Sequence, residues 1–237
     1  MSVRDPGFEA NLALLRLTVA RLGDLNDELV FVGGCATGLL ITATRAQAIR
    51  VTTDVDVVVQ VATIRDYYAV EARLEGSGFV RDTSPDAPIC RWQAPGLQLD
   101  VMPSEPHLLG FSNRWYPLAV ATAQPYPVAR DATIQLITAP LFIATKLEAF
   151  KDRGRSDHLA SHDLEDIVTV VDGRLELVDE VRAAPETVRE YLRAKFAALM
   201  AIDAFVTAVP GHLAGDAGTQ ARVPQVLERF RALASLP

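Results

Sequence analysis

Apolar residues recur at helical spacing from Phe8 to Leu22, with Leu12, Leu15, Val19 and Leu22 on one stripe, and this predicts an amphipathic helix. Leu29-Val30-Phe31-Val32 predicts a short buried strand. Gly33-Gly34 ends it, and Cys35 to Arg45 reads as a helix of small residues. Arg50 to Val61 predicts a second strand, rich enough in valine to be buried. Ile64 to Glu75 predicts a helix stopped by Gly76-Ser77-Gly78. Further strands are expected at Phe79-Val80-Arg81, at Ile89-Cys90-Arg91-Trp92, and from Leu97 to Met102, where Pro103 stops the run. From Glu105 to Pro127, Pro106, Gly110, Pro117, Pro125 and Pro127 break the pattern into loops and short strands, and Ile134 to Ile137 reads as a last strand.

From Pro140 onward the period is helical. Pro140 suits the first turn of a helix that runs through Lys146 to about Arg153. Ser161 reads as the N-cap of a helix from His162 to Val171, with Gly173 as its stop. Glu186 to Ala208 and Val223 to Leu233 are further helical segments, and Gly211 to Thr219 is loop-like. The predicted class is α/β (α+β). A mixed sheet flanked by helices occupies residues 1–139, and a C-terminal helical region occupies residues 140–237.

Composition changes this picture little. The 237 residues, 49% hydrophobic and 22% charged, suit a packed globular chain. A net charge of -7 argues against a general nucleic-acid binder, because phosphate neutralisation needs Lys and Arg. Cys35 and Cys90 form no C-x-x-C pair, and His107, His158, His162 and His212 lack the spacing of zinc ligands. No signal-peptide core and no membrane-length apolar run is visible, so a reduced cytoplasmic setting without membrane contact is expected.

The chemistry concentrates in three places. Gly33-Gly34 stands at a strand end before a helix, where glycines let backbone amides approach a phosphate. Asp54 and Asp56 stand two apart at the head of a valine run, and so project to one side of a strand. Asp100 lies in a later apolar strand that can bring it beside them. Carboxylates crowded at a buried strand repel one another unless a cation or donor neutralises them. Three convergent carboxylates suit two hard divalent cations, Mg2+ with Mn2+ as alternative, and such ions serve phosphoryl or nucleotidyl transfer. Asp54, Asp56 and Asp100 are thus the expected metal ligands, with Asp100 also placed to help deprotonate an attacking hydroxyl.

With these residues in place, the chain resembles the DNA polymerase beta-like nucleotidyltransferase superfamily. The resemblance lies in Val32-Gly33-Gly34, a short helix, Thr53-Asp54-Val55-Asp56 and the distant Asp100. Arg50 and Thr53 also match what several members place before the Asp-x-Asp pair. The familiar Gly-Ser is Gly-Gly here, so the serine contact to the triphosphate is missing, and Thr37 is the candidate substitute for it. Lys146-Leu147-Glu148-Ala149-Phe150, then Arg153, then His162-Asp163-Leu164-Glu165-Asp166-Ile167 look like the AbiEii/AbiGii toxin-like branch. The resemblance covers residues 28 to 173. It implies a nucleotidyltransferase-type sheet, an NTP substrate, a toxin or phage-defence role, tRNA as an acceptor and an antitoxin partner.

Spacing adds an independent argument. Lys146 and Arg153 lie seven residues apart, on nearly one helix face and about 10 Å apart along it, which suits a triphosphate tail; an ordinary solvated face is the competing explanation. Asp163 and Asp166 share a face too. Either can orient Lys146 or Arg153 or contact the base or acceptor, and helix-dipole complementation is the plainer account. Lys146 is expected to be catalytic as well as nucleotide-binding. The leading expectation is a metal-dependent transfer of a nucleoside monophosphate from an NTP to a hydroxyl. An aminoglycoside-type small-molecule nucleotidyltransferase, favoured by the acidic charge, is one alternative. A non-catalytic nucleotide-binding partner protein is another.

Overall fold

The fold is that of a computed structural model, whose described residues are 5–44, 48–105, 107–110, 113–153 and 157–237. The chain divides into two compact units. One comprises residues 9–36 and 51–138; the other comprises residues 1–8, 37–50 and 139–237. The helical unit therefore includes two early segments besides the C-terminal part of the chain.

The first unit is a seven-stranded mixed sheet. Its strands are β1 (Leu29–Val32), β2 (Val55–Val59), β3 (Val80–Arg81), β4 (Arg91–Ala94), β5 (Leu97–Pro103), β6 (Gln124–Ala129) and β7 (Ala132–Leu136), in the order β3-β4-β5-β2-β1-β7-β6. β2 lies between β1, antiparallel to it, and β5, parallel to it. Val55, Val57, Val58 and Val59 are buried, as are Leu97, Leu99 and Val101, so the valine run becomes a central strand.

Helix α1 (Pro6–Leu22) buries Leu12, Leu15 and Leu22. In α3 (Ile64–Gly76), reciprocal Thr63 and Asp66 bonds form a capping box, and Tyr67, Val70 and Leu74 make the buried stripe. The Tyr67 hydroxyl donates to the Val101 carbonyl at 2.8 Å, tying this helix to β5 one residue beyond Asp100.

Local signals and structure part company in several places. No helix runs from Cys35 to Arg45. One α-turn, α2 (Gly33–Ala36), and a 3-10 turn (Thr37–Leu40) stand instead, and Arg45 lies outside the described residues. The amides of Thr42 and Ala43 both donate to the Gly173 carbonyl, so tertiary bonds replace the helical ones. β2 begins at Val55 rather than Arg50, because the Thr52 amide is taken by the Asn11 side chain at 3.0 Å instead of a sheet ladder. Pro125 and Pro127 do not exclude a strand, although the β6–β7 ladder shifts register between Pro127 and Ala129. They lie in β6, at the sheet edge, where a missing N–H leaves no ladder bond unmade on the outer side. Pro117 similarly sits in the first turn of α4 (Tyr116–Thr122). Pro106, the first of the expected breakers, lies outside the described residues.

In the helical unit, α5 (Ala139–Arg153) and α6 (His162–Gly173) form where expected, and the Ser161 Oγ caps α6 by accepting from the Leu164 amide at 3.3 Å. A short helix, α7 (Leu177–Ala183), follows with only Leu177 and Val181 buried, too few apolar positions to announce a period. The expected Glu186–Ala208 helix is two, α8 (Glu186–Met200) and α9 (Asp203–Ala208), because Ile202 between them is extended. The Gly211–Thr219 stretch contains the end of a 3-10 turn (Val209–His212) and most of the short α10 (Ala217–Gln220). Phe196, Phe205 and Phe230, the last on α11 (Val223–Ala234), meet edge to face at 5.5 and 5.4 Å and centre this core.

Candidate active site

The site in the sheet unit follows from strand register. Val32, the last residue of β1, pairs with Asp56. Gly33 follows it with φ +70°, and a Cβ there would lie 1.9 Å from an Asp56 carboxylate oxygen. Only glycine fits, for both the backbone angle and the space. Gly34 is buried in the one-turn α2, too short to carry an appreciable dipole.

Asp56 also pairs with Asp100 across the parallel β2–β5 ladder, so the two carboxylates leave neighbouring strands at one level. Asp54 lies just before β2 rather than within it. The point that Asp54 and Asp100 share is a nitrogen of Arg91. The Nε of Arg91 donates to Oδ1 of Asp100 at 2.8 Å, and its Nη2 donates to Oδ2 of Asp100 at 2.8 Å and to Oδ2 of Asp54 at 3.0 Å. Hydrogen bonds to Asp100, then the charges of Asp100, Asp54 and Asp56, hold the guanidinium's pKa above its ordinary value, so all three acids act on one spot. Beside them, burial and then the Asp100 charge push the Cys90 thiol up to about 12, which makes it an inert core residue.

Arg91 is the residue sequence reasoning missed. The signal was present. Pro95-Gly96 has a proline in first position and a glycine with φ +73° in second, a two-residue hairpin turn that pairs Ala94 with Leu97 and hence Arg91 with Asp100.

Among the described residues no group of three or more His, Cys, Asp and Glu side chains has the arrangement of a metal site. The chemistry of the donors nonetheless suits a hard cation: carboxylate oxygens from paired positions of two neighbouring strands, joined by that of Asp54 just before β2.

The other expected residues lie in the helical unit or on loops. Thr53 is exposed, whereas its neighbour Thr52 is buried. Thr37 is buried at 2% exposure, and its Oγ1 has no hydrogen-bond partner among the described residues. Lys146 on α5 is buried, with its Nζ 2.7 Å from Asp166 and 3.4 Å from Asp163, both on α6. Arg50 donates from Nη2 to the same Asp166 oxygen at 3.1 Å and lies 3.6 Å from Glu165. Lys146, Arg50, Asp163, Glu165 and Asp166 thus form one ion network within the helical unit. The side chain of Arg153 lies outside the described residues. His162 is exposed beside Glu165, while Trp92 and Trp115 are buried.

No protein-family model matches the chain, and no curated protein matches it. A solved structure does. The chain is similar to an antigenic nucleotidyltransferase-like protein from Paracoccidioides brasiliensis, at 19% identity and a TM-score of 0.53, over 94% of this chain and 93% of that one. The mixed sheet with its flanking helices is therefore a nucleotidyltransferase-like fold.

Proposed function

We propose that the chain is a metal-dependent nucleotidyltransferase, transferring a nucleoside monophosphate from an NTP to a hydroxyl acceptor. The observation that carries this reading is the register that sets Asp56 beside Asp100, against a glycine that tolerates no side chain, with Asp54 drawn to the same guanidinium. In this reading Asp56, Asp54 and Asp100 hold Mg2+, with Mn2+ as a substitute. The bound ion supplies charge neutralisation at the reacting phosphate. Gly33 leaves room beside Asp56, and in this reading the Gly33-Gly34 backbone would approach the phosphate oxygens. Asp100 accepts a proton from the attacking hydroxyl, with its orientation fixed by Arg91.

The toxin-like role, the tRNA acceptor and the antitoxin partner rest on the resemblance of the Lys146 and Asp163–Asp166 segments. The buried ion network those residues form suits a fixed structural element as well as a phosphate contact. The net charge of -7 favours a cationic small-molecule acceptor as the second reading. Incubation with each α-labelled NTP, cellular RNA and an aminoglycoside panel tests both. Label on RNA ends supports the first, label on an aminoglycoside supports the second, and label on neither rejects the transferase.

A further inference from the structure

A cleft of about 190 Å3 opens within the helical unit and is not used by the transfer proposed above. Residues 48–50, α6, the 3-10 turn Val209–His212, α10 and the residue before α11 line it. Two polar side chains on its wall are more than nine-tenths buried and keep a polar atom without a partner among the described residues. Thr169 is 8% exposed, and its hydroxyl makes no hydrogen bond there. His212 is 9% exposed, and its Nε2 lies 2.7 Å from the His158 carbonyl. A carbonyl only accepts, so Nε2 carries the proton, and Nδ1 of the neutral ring is left as an acceptor. Buried polar atoms left in this state are costly unless a bound molecule satisfies them.

The wall also carries Arg50 and Arg222 against Glu165 and Asp172, four charges that sum to zero. Arg222 forks Asp172 at 3.2 and 2.7 Å, and Arg50 lies 3.6 Å from Glu165. A phosphate or an ammonium would compete with these pairs, whereas a neutral molecule leaves them whole. A guanidinium engaged at its edge also keeps a face on which a planar ring can stack. Size narrows the class further. A cavity of about 150 Å3 takes one benzene ring, so this cleft takes a single heterocycle with its exocyclic groups and is too small to enclose a nucleoside. We propose that the cleft binds one free nucleobase, with a base N–H donating to Nδ1 of His212 and a second polar group of the base paired with the Thr169 hydroxyl. A nucleobase is neutral, planar and of this size, and it carries both donors and acceptors on its rim. The proposal does not rest on the transferase reading, because every residue it uses belongs to the helical unit.

The test is isothermal titration calorimetry of the full-length protein with adenine, hypoxanthine, cytosine and uracil, each alone. At least one base is expected to bind, one per chain. Thr169→Val, which keeps the side-chain shape and removes the hydroxyl, is expected to weaken that base roughly tenfold, the loss of one buried hydrogen bond. His212→Gln, whose amide can still serve the His158 carbonyl, is expected to do the same. Asp56→Ala is expected to bind the base as the wild type does. Binding of none of the four bases at millimolar concentration overturns the proposal. So does an affinity unchanged in either folded variant of the cleft, or one lost in Asp56→Ala, which would put the base in the sheet unit. Ribose, glycine or inorganic phosphate binding in place of the bases overturns it too, since none of these is a neutral planar ring. Should one cleft variant fail to fold, the other and the wild-type titrations decide.

Discussion

Arg91 holds Asp100 by both carboxylate oxygens, at 2.8 Å each, across a single pairing position of the β4–β5 hairpin. Asp100 is buried, so its charge is tolerated because that fork neutralises it. Replacing Arg91 by Met leaves Asp100 buried without its counter-charge, and we expect a loss of about 3 kcal/mol in urea unfolding without metal. The double variant Arg91→Met/Asp100→Asn should recover much of the loss. Equal stabilities of the single and double variants would show that the pair is not what burial of Asp100 depends on.

Gly33 and Asp56 make a second coupled pair. Gly33→Ala forces a residue at φ +70°, which costs roughly 1–2 kcal/mol in the backbone alone. It also drives a Cβ into the Asp56 carboxylate. The variant should melt several degrees below wild type, and adding Asp56→Gly should restore part of that. A Gly33→Ala protein as stable as wild type would contradict the packing described.

Lys146 gives a test in the helical unit. Lys146→Met removes the ammonium from between Asp163 and Asp166, and a loss of about 3 kcal/mol in chemical denaturation is expected, reduced to the extent that Arg50 still serves Asp166. An unchanged midpoint would place Lys146 outside the load of that network and leave phosphate contact as its stronger explanation.

Alkaline stability reports on Cys90. Its folded pKa, about 12, is raised above that of an unfolded thiol, so the folded state binds more protons than the unfolded one once pH passes about 9. Stability from this group is complete below pH 9 and is lost as pH rises toward 12. Cys90→Ala should flatten the fall in unfolding free energy over that window. An unchanged slope would contradict the assignment.

Much of the fold was legible where local signals agree. Leu29–Val32 is the predicted strand without a residue's difference, and the Ser161 cap and the Pro140 first turn set their helices correctly. Legibility failed where a distant partner decides. Gly173 claims the amides that a helix after Leu40 would have used, and the place of Pro125 and Pro127 depends on which side of the sheet is open. Asp56 and Asp100 could be placed side by side from the strand pattern, because neighbouring strands bring them to one level, whereas Asp54 falls before β2 and meets them through Arg91. Arg91 could not be picked by type, since an arginine in a strand is ordinary; only counting the hairpin back from Pro95-Gly96 places it on Asp100.

The central claim is that the acids beside Gly33 perform nucleotidyl transfer. Label transfer from α-labelled NTPs in magnesium, wild type against Asp56→Ala, addresses it most directly. Removal of one of several mutually repelling carboxylates should leave the fold intact, so the account predicts transfer by the wild type and none by a folded Asp56→Ala protein. Transfer that persists in that variant, or a folded wild type that transfers no label from any NTP to RNA or aminoglycoside, would contradict it.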